Sequence, residues 1–155
     1  MSGPSLRMQD AHTSIHEAAL YEAKELKHLL QRSIEEANQD KALQIADIMI
    51  EHWESRTLKH AEAEEEGLYK DMARDHPHME KLVNQLTRDH DLMRRIVGMM
   101  KETLSQEKVD LWFISLIESL IIIDELHNED EMNQLLANDK RSYLENPERD
   151  LKYGS

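Results

Sequence analysis

The chain has no cysteine among its 155 residues. Disulfides, thiolate metal sites, cysteine-ligated iron–sulfur clusters and thiol nucleophiles are thereby excluded, and a reducing, cytoplasmic setting fits. Only 4 glycines and 3 prolines are present, and aromatic residues make up 5%. So few breakers, with abundant Glu, Lys, Leu, Met and Ala, favour helix throughout. Positive charge is also short: 19 Lys and Arg face 32 Asp and Glu, a net charge of −13. Such a surface repels phosphate backbones and anionic headgroups, so neither nucleic acid nor a membrane is expected as a partner. Met1 to Asp10 holds no apolar stretch of the signal-peptide kind. The most apolar run, Leu111 to Ile123, is interrupted by Ser115, Glu118 and Ser119 and is too short to cross a bilayer. A buried helix is the better reading.

Four long amphipathic patterns fill the chain. The first has a seam of His12, His16, Ala19, Ala23, Leu26, Leu30, Ser33 and Ala37. The second reads Ala42, Ala46, Met49, Trp53, Arg56, His60, Glu64 and Gly67. The third reads Met79, Val83, Leu86, His90, Met93, Val97, Met100 and Leu104, and the fourth Val109, Phe113, Leu116, Leu120, Ile123, His127 and Glu131. Each steps three and four residues alternately, as a helix packed along one face does. Breaks fall at Asn38-Gln39-Asp40, at Asp75-His76-Pro77 and at Ser105 to Lys108. Such short loops predict an all-α fold, an antiparallel up-down-up-down four-helix bundle over residues 1–138. Residues 139–155 read as a polar C-terminal tail.

Histidine on a packed seam needs a reason, because an unpaired buried polar group costs about 1–3 kcal/mol. Here every seam carries one. Counting from the turns, His16 lies 23 residues before position 39 and His60 lies 21 after it. His60 and His90 each lie 15 residues from position 75, and His90 and His127 lie 17 and 20 from position 107. At a rise of about 1.5 Å per residue, all four fall within roughly 5 Å of one level. Glu64 follows His60 by four residues and Glu131 follows His127 by four. Both carboxylates therefore step one helical turn to the same side, a level shared by His12 and Leu86.

Imidazole with carboxylate and no sulfur suits iron, manganese or zinc. Six ligands (His16, His60, Glu64, His90, His127, Glu131), or seven with His12, exceed the four of a structural zinc site, so two ions are expected. Iron is the choice, with manganese or zinc as substitutes.

These residues resemble the hemerythrin-like, HHE cation-binding family, in His16, His60-x-x-x-Glu64, His90 and His127-x-x-x-Glu131, and in the stretch His60-Ala-Glu-Ala-Glu-Glu-Glu-Gly-Leu-Tyr69. The resemblance implies a bundle around two non-haem irons, bridged by the carboxylates and an oxo or hydroxo group. One iron position would stay open for dioxygen, nitric oxide or another small ligand. Oxygen-carrying members have a second histidine on the third helix where this chain has Leu86, and a final Asp where position 132 is methionine. The pattern is closer to the branches that repair iron centres or sense iron.

Other polar residues read differently. His52 is about 12 Å along its helix from His60, too far for one dinuclear site. His28, His76 and His78 face water, Glu62, Glu65 and Glu66 form a solvated face, and Met49, Met93 and Met100 pack the core. Arg56 either pairs with a buried carboxylate or snorkels. Asp89 and Asp124 are candidates to orient His90 and His127. Leu111, Trp112, Ile114, Ile117, Ile121 and Ile122 make the fourth helix apolar beyond its seam, which predicts self-association through it.

Three functions compete. The first is a module that binds or senses iron and small diatomic ligands. The second is a di-iron enzyme or an iron-donating repair protein acting in oxidative or nitrosative stress. The third is a metal-free helical interaction protein. A ferritin-like oxidase would need two inward Glu-x-x-His motifs, and only Glu25-x-x-His28 exists, off the seam.

Overall fold

The computed structural model describes residues 9–137, and these are helical apart from short connections, with no strand among the described residues. The tail expected over 139–155 lies outside them. Helix α1 spans Gln9–Glu35. A second rod is built from α2 (Gln39–His52), a π-helical stretch (Trp53–Leu58) and α3 (Lys59–Glu66), followed by the short α4 (Leu68–Asp75). Helix α5 spans Glu80–Ser105, and α6 (Leu111–Asp130) runs on into a second π-helical stretch, Glu131–Leu136.

The breaks have local causes. The Asn38 side chain accepts a hydrogen bond from the Lys41 amide at 3.2 Å, capping α2. Ala37 and Glu107 take left-handed φ values of 55° and 53°, reversing the chain after α1 and α5. Asp110 caps α6 through the Trp112 amide at 3.0 Å. At the second break, Asp75 ends α4 and binds Arg74 instead of capping, and Pro77 opens a single 3₁₀ turn.

Helix α1 packs on α2 and α6, and α5 packs on α6 and α2. The larger core cluster holds Ala23, Leu30, Met49, Trp53, Met93, Met100, Phe113 and Leu120. A smaller one holds Leu68, Tyr69, Met72, Leu86, Leu135 and Leu136. His60, His90 and His127 lie on their helices between residues of the two clusters, so a polar layer is sealed above and below by apolar side chains. Ile114, Ile117 and Ile121 of α6 are buried against its neighbours, while Leu111, Trp112 and Ile122 are exposed. No helix among the described residues is long and apolar enough to cross a membrane.

Two seam positions depart from expectation, Ala37, exposed past the end of α1, and Arg56. Arg56 is exposed and pairs with Glu22 at 3.3 Å. It sits in the π-helical stretch, whose wider turn brings Leu58 toward the core in place of position 56.

Candidate metal centre

Five elements deliver the polar layer. α1 brings His12 and His16, α3 brings His60 and Glu64, α5 brings His90, α6 brings His127, and the second π-helical stretch begins with Glu131. Glu64, His90 and Glu131 are at most 1% exposed, His12 3% and His127 5%, so water is excluded from these groups. Their ligating atoms form two groups of four: His12, His60, Glu64 and Glu131, and Glu64, His90, His127 and Glu131. Within each group all atoms lie within 4.8 Å of one another, and both groups contain both carboxylates.

The contacts are close. Glu131 lies 2.7 Å from His12 Nε2 through one oxygen and 3.2 Å from His127 Nε2 through the other. Glu64 lies 3.4 Å from His90 Nε2 through one oxygen and 3.6 Å from His60 Nε2 through the other. His90 Nδ1 donates to Glu65 at 2.8 Å, and Glu65 also accepts from Arg94 at 2.6 Å. His127 Nδ1 donates to Asp89 at 3.0 Å. These outer carboxylates fix the tautomers, leaving both Nε2 lone pairs pointing inward.

A cation suits what is left over. The Nε2 atoms of His90 and His127 are 3.1 Å apart. His12 Nδ1, His16 Nε2, Glu64 Oε2 and Glu131 Oε1 are buried without a hydrogen-bond partner, while His12 Nε2 bonds Asn128 Oδ1 at 3.2 Å. Each such orphan costs about 1–3 kcal/mol, a burden that a bound metal ion removes from several at once. The buried His/Glu group can therefore hold a metal ion.

The charges point the same way. Burial, assisted by His12, pushes His16 and His60 down to about 4. Burial and then His127 push His90 down to about 3. These imidazoles are neutral at pH 7, the state a metal ligand needs. Burial would lower His127 too, but its hydrogen bonds to Asp89 and Glu131 raise it to about 9. Burial and the neighbouring Glu131 raise Glu64 well above the usual carboxylate range. Burial opposes ionisation of Glu131 as well, yet its contacts to Glu64, His12 and His127 hold it well below that range. Metal-free, the pair thus keeps one proton that a cation would displace.

His16 belongs to neither group of four. Its Nε2 faces Asp124 Oδ2 at 3.7 Å, and its ring lies parallel to that of His12 at 6.5 Å. Burial raises Asp124 to about 7. Both border a cavity of about 300 Å³ whose wall also includes His12, His60, His90 and His127, with Ile15 of α1 and Ser55 and Thr57 of the π-helical stretch. π-Helical turns recur at functional sites, and here one edges this cavity while the other carries Glu131.

Several side chains stand elsewhere than expected. Asp89 serves His127, Asp124 faces His16, and Glu65, taken for a solvated residue, serves His90. His52 is buried and bonds the Ala19 carbonyl at 2.8 Å, outside the cluster. His28 and His78 are exposed. Sequence reasoning passed over Tyr69, whose hydroxyl donates to Glu131 Oε2 and lies 3.4 Å from both His90 Nε2 and His127 Nε2. Its sequence signals are its place at the end of the stretch from His60 that carries the resemblance and five residues after Glu64, beyond the helix break at Gly67. No family model, curated protein or solved structure matches the chain.

Proposed function

We propose that the chain is a hemerythrin-like protein, an antiparallel up-down-up-down four-helix bundle that holds a non-haem di-iron centre. It binds or senses iron and a small diatomic ligand, dioxygen or nitric oxide, in the cytoplasm. One observation carries the reading: two groups of four ligand atoms share both Glu64 and Glu131. Shared carboxylates are what two adjacent ions require, and they offset much of the charge of two divalent metals. His12 and His60 hold one ion, His90 and His127 the other, and His16 stands beside the first with its nitrogen free. The donor set of imidazole and carboxylate also accepts manganese or zinc.

When bound, iron supplies an open coordination position and reversible one-electron chemistry for the diatomic ligand. The chain does the rest. Glu65 and Asp89 hold two imidazoles in register, the apolar clusters keep water away, and the cavity, bordered by all four imidazoles, leads a small ligand to the centre.

Metal analysis of protein purified from iron-supplemented cells tests the reading. Two irons per chain are expected; fewer than one, after attempted loading, overturns it. The size of the cavity favours a second reading, a di-iron enzyme acting on a substrate larger than a diatomic, since one water occupies only about 30 Å³ in the liquid. Sustained oxygen consumption with turnover, as against a stable oxygenated spectrum, separates the two.

A further inference from the structure

We infer that the Tyr69 phenol oxygen is itself a ligand, completing the half of the centre held by His90 and His127. The inference rests on the di-iron reading above and deepens it. Metal–nitrogen and metal–oxygen bonds of about 2.0–2.2 Å at right angles put neighbouring donor atoms about 3 Å apart. The donors here show that spacing. His90 Nε2 and His127 Nε2 are 3.1 Å apart, His127 Nε2 and Glu131 Oε2 3.2 Å, and His90 Nε2 and Glu64 Oε1 3.4 Å. The Tyr69 oxygen continues the series, at 3.4 Å from each of the two imidazole nitrogens and in contact with Glu131 Oε2.

Three further features favour a ligand over a bystander. Tyr69 is 2% exposed, and its ring stacks on His90 at 5.4 Å with an interplanar angle of 7°, so the oxygen is held in place. A single hydroxyl proton serves Glu131 and leaves none for the two nitrogens, so the oxygen faces them through its lone pairs. Tyr69 is also absent from the cavity wall, which His12, His60, His90 and His127 all line, so its oxygen meets the centre from another side. There the phenol closes the His90–His127 half against the smaller core cluster, of which its ring is a member. On coordination the O–H bond gives way to an O–metal bond, and one proton per chain leaves to solvent.

Ferric iron added to the full chain is the probe, read by visible absorption and resonance Raman together with iron content. Two irons per chain with a phenolate-to-ferric charge-transfer band are expected, the band being lost in Tyr69→Phe and kept in Tyr21→Phe, whose ring is exposed. Ring-deuterated tyrosine in the unmutated protein should shift the enhanced Raman modes, a readout that does not depend on how the variant folds. Iron bound at two per chain without phenolate modes overturns the inference and leaves the di-iron reading standing. A band that survives Tyr69→Phe overturns it too. Fewer than one iron per chain overturns both.

Discussion

His90 and His127 come from different helices, yet their Nε2 atoms stand 3.1 Å apart with each opposite nitrogen bound to its own carboxylate, Glu65 or Asp89. Two lone pairs aimed at one point repel unless something positive lies between them. In metal-free protein the bonds to Asp89 and Glu131 keep a proton on His127, raising it to about 9 against burial, while burial and then His127 push His90 down to about 3. In the proposed holoprotein a metal ion takes the proton's place.

A pH dependence follows for the metal-free chain. Unfolded, both imidazoles titrate near 6.5; folded, the pair keeps one proton between about 3 and about 9. His127 is raised, so its contribution is complete below 6.5 and disappears as pH climbs through about 9. His90 is lowered, so its contribution is complete above 6.5 and disappears as pH falls through about 3. Urea midpoints measured from pH 4 to 9, for wild type minus His90→Gln/His127→Gln, should peak near pH 6.5 and decline on both sides. A flat difference would show that the two rings do not share a proton.

Glu64 and Glu131 are both fully enclosed and share one small volume, and burial with like charge pushes the Glu64 carboxyl up. Glu64→Gln keeps the shape and removes the repulsion. The metal-free variant should gain about 1 kcal/mol, a rise in melting temperature of roughly 2–4 °C for a chain of this size. Iron should then stabilise it far less than it stabilises wild type, for which saturation at a thousandfold over Kd is worth about 4 kcal/mol. Paired thermal scans with and without iron check both halves; equal stabilisation by iron would remove Glu64 from the centre.

Glu65 and Asp89 touch no candidate ion but hold His90 and His127 by their Nδ1 atoms. Replacing either by Ala should weaken iron binding about 10- to 100-fold while the helical signal is retained. Arg94→Ala should do less, because Arg94 bonds Glu65 and none of the ligands. Competition against a chelator of known affinity gives the ratios.

The sequence carried the level of the site because residue counts between turns convert directly into height along paired helices. His60, His90 and His127 could be brought to one layer that way, and Glu64 and Glu131 followed from the four-residue step. Rotation about the helix axis was harder to read. The π-helical stretch at Trp53–Leu58 turns Arg56 outward, and nothing in the three-and-four spacing announces that extra residue. Adjacent residues also diverge: His90 is buried beside Glu64 and Glu131, while Asp89 reaches across to His127 on α6. Tyr69 lies past the interruption at Gly67, on a separate short helix whose direction no seam periodicity fixes.

The cavity gives the last prediction. Ala19 is 8% exposed and lines it on the α1 side, one turn beyond His16, away from the two groups of four. A leucine there adds three carbon atoms to a space of about 300 Å³ that has room for them, so the usual overpacking penalty of about 1–3 kcal/mol should be largely escaped. In Ala19→Leu, iron content should stay at two per chain while the rate of nitric oxide binding, followed by stopped-flow absorption, drops at least tenfold. Because both ligand groups are untouched, slower entry with unchanged iron assigns the cavity as the path to the centre. An unchanged rate would place the path elsewhere.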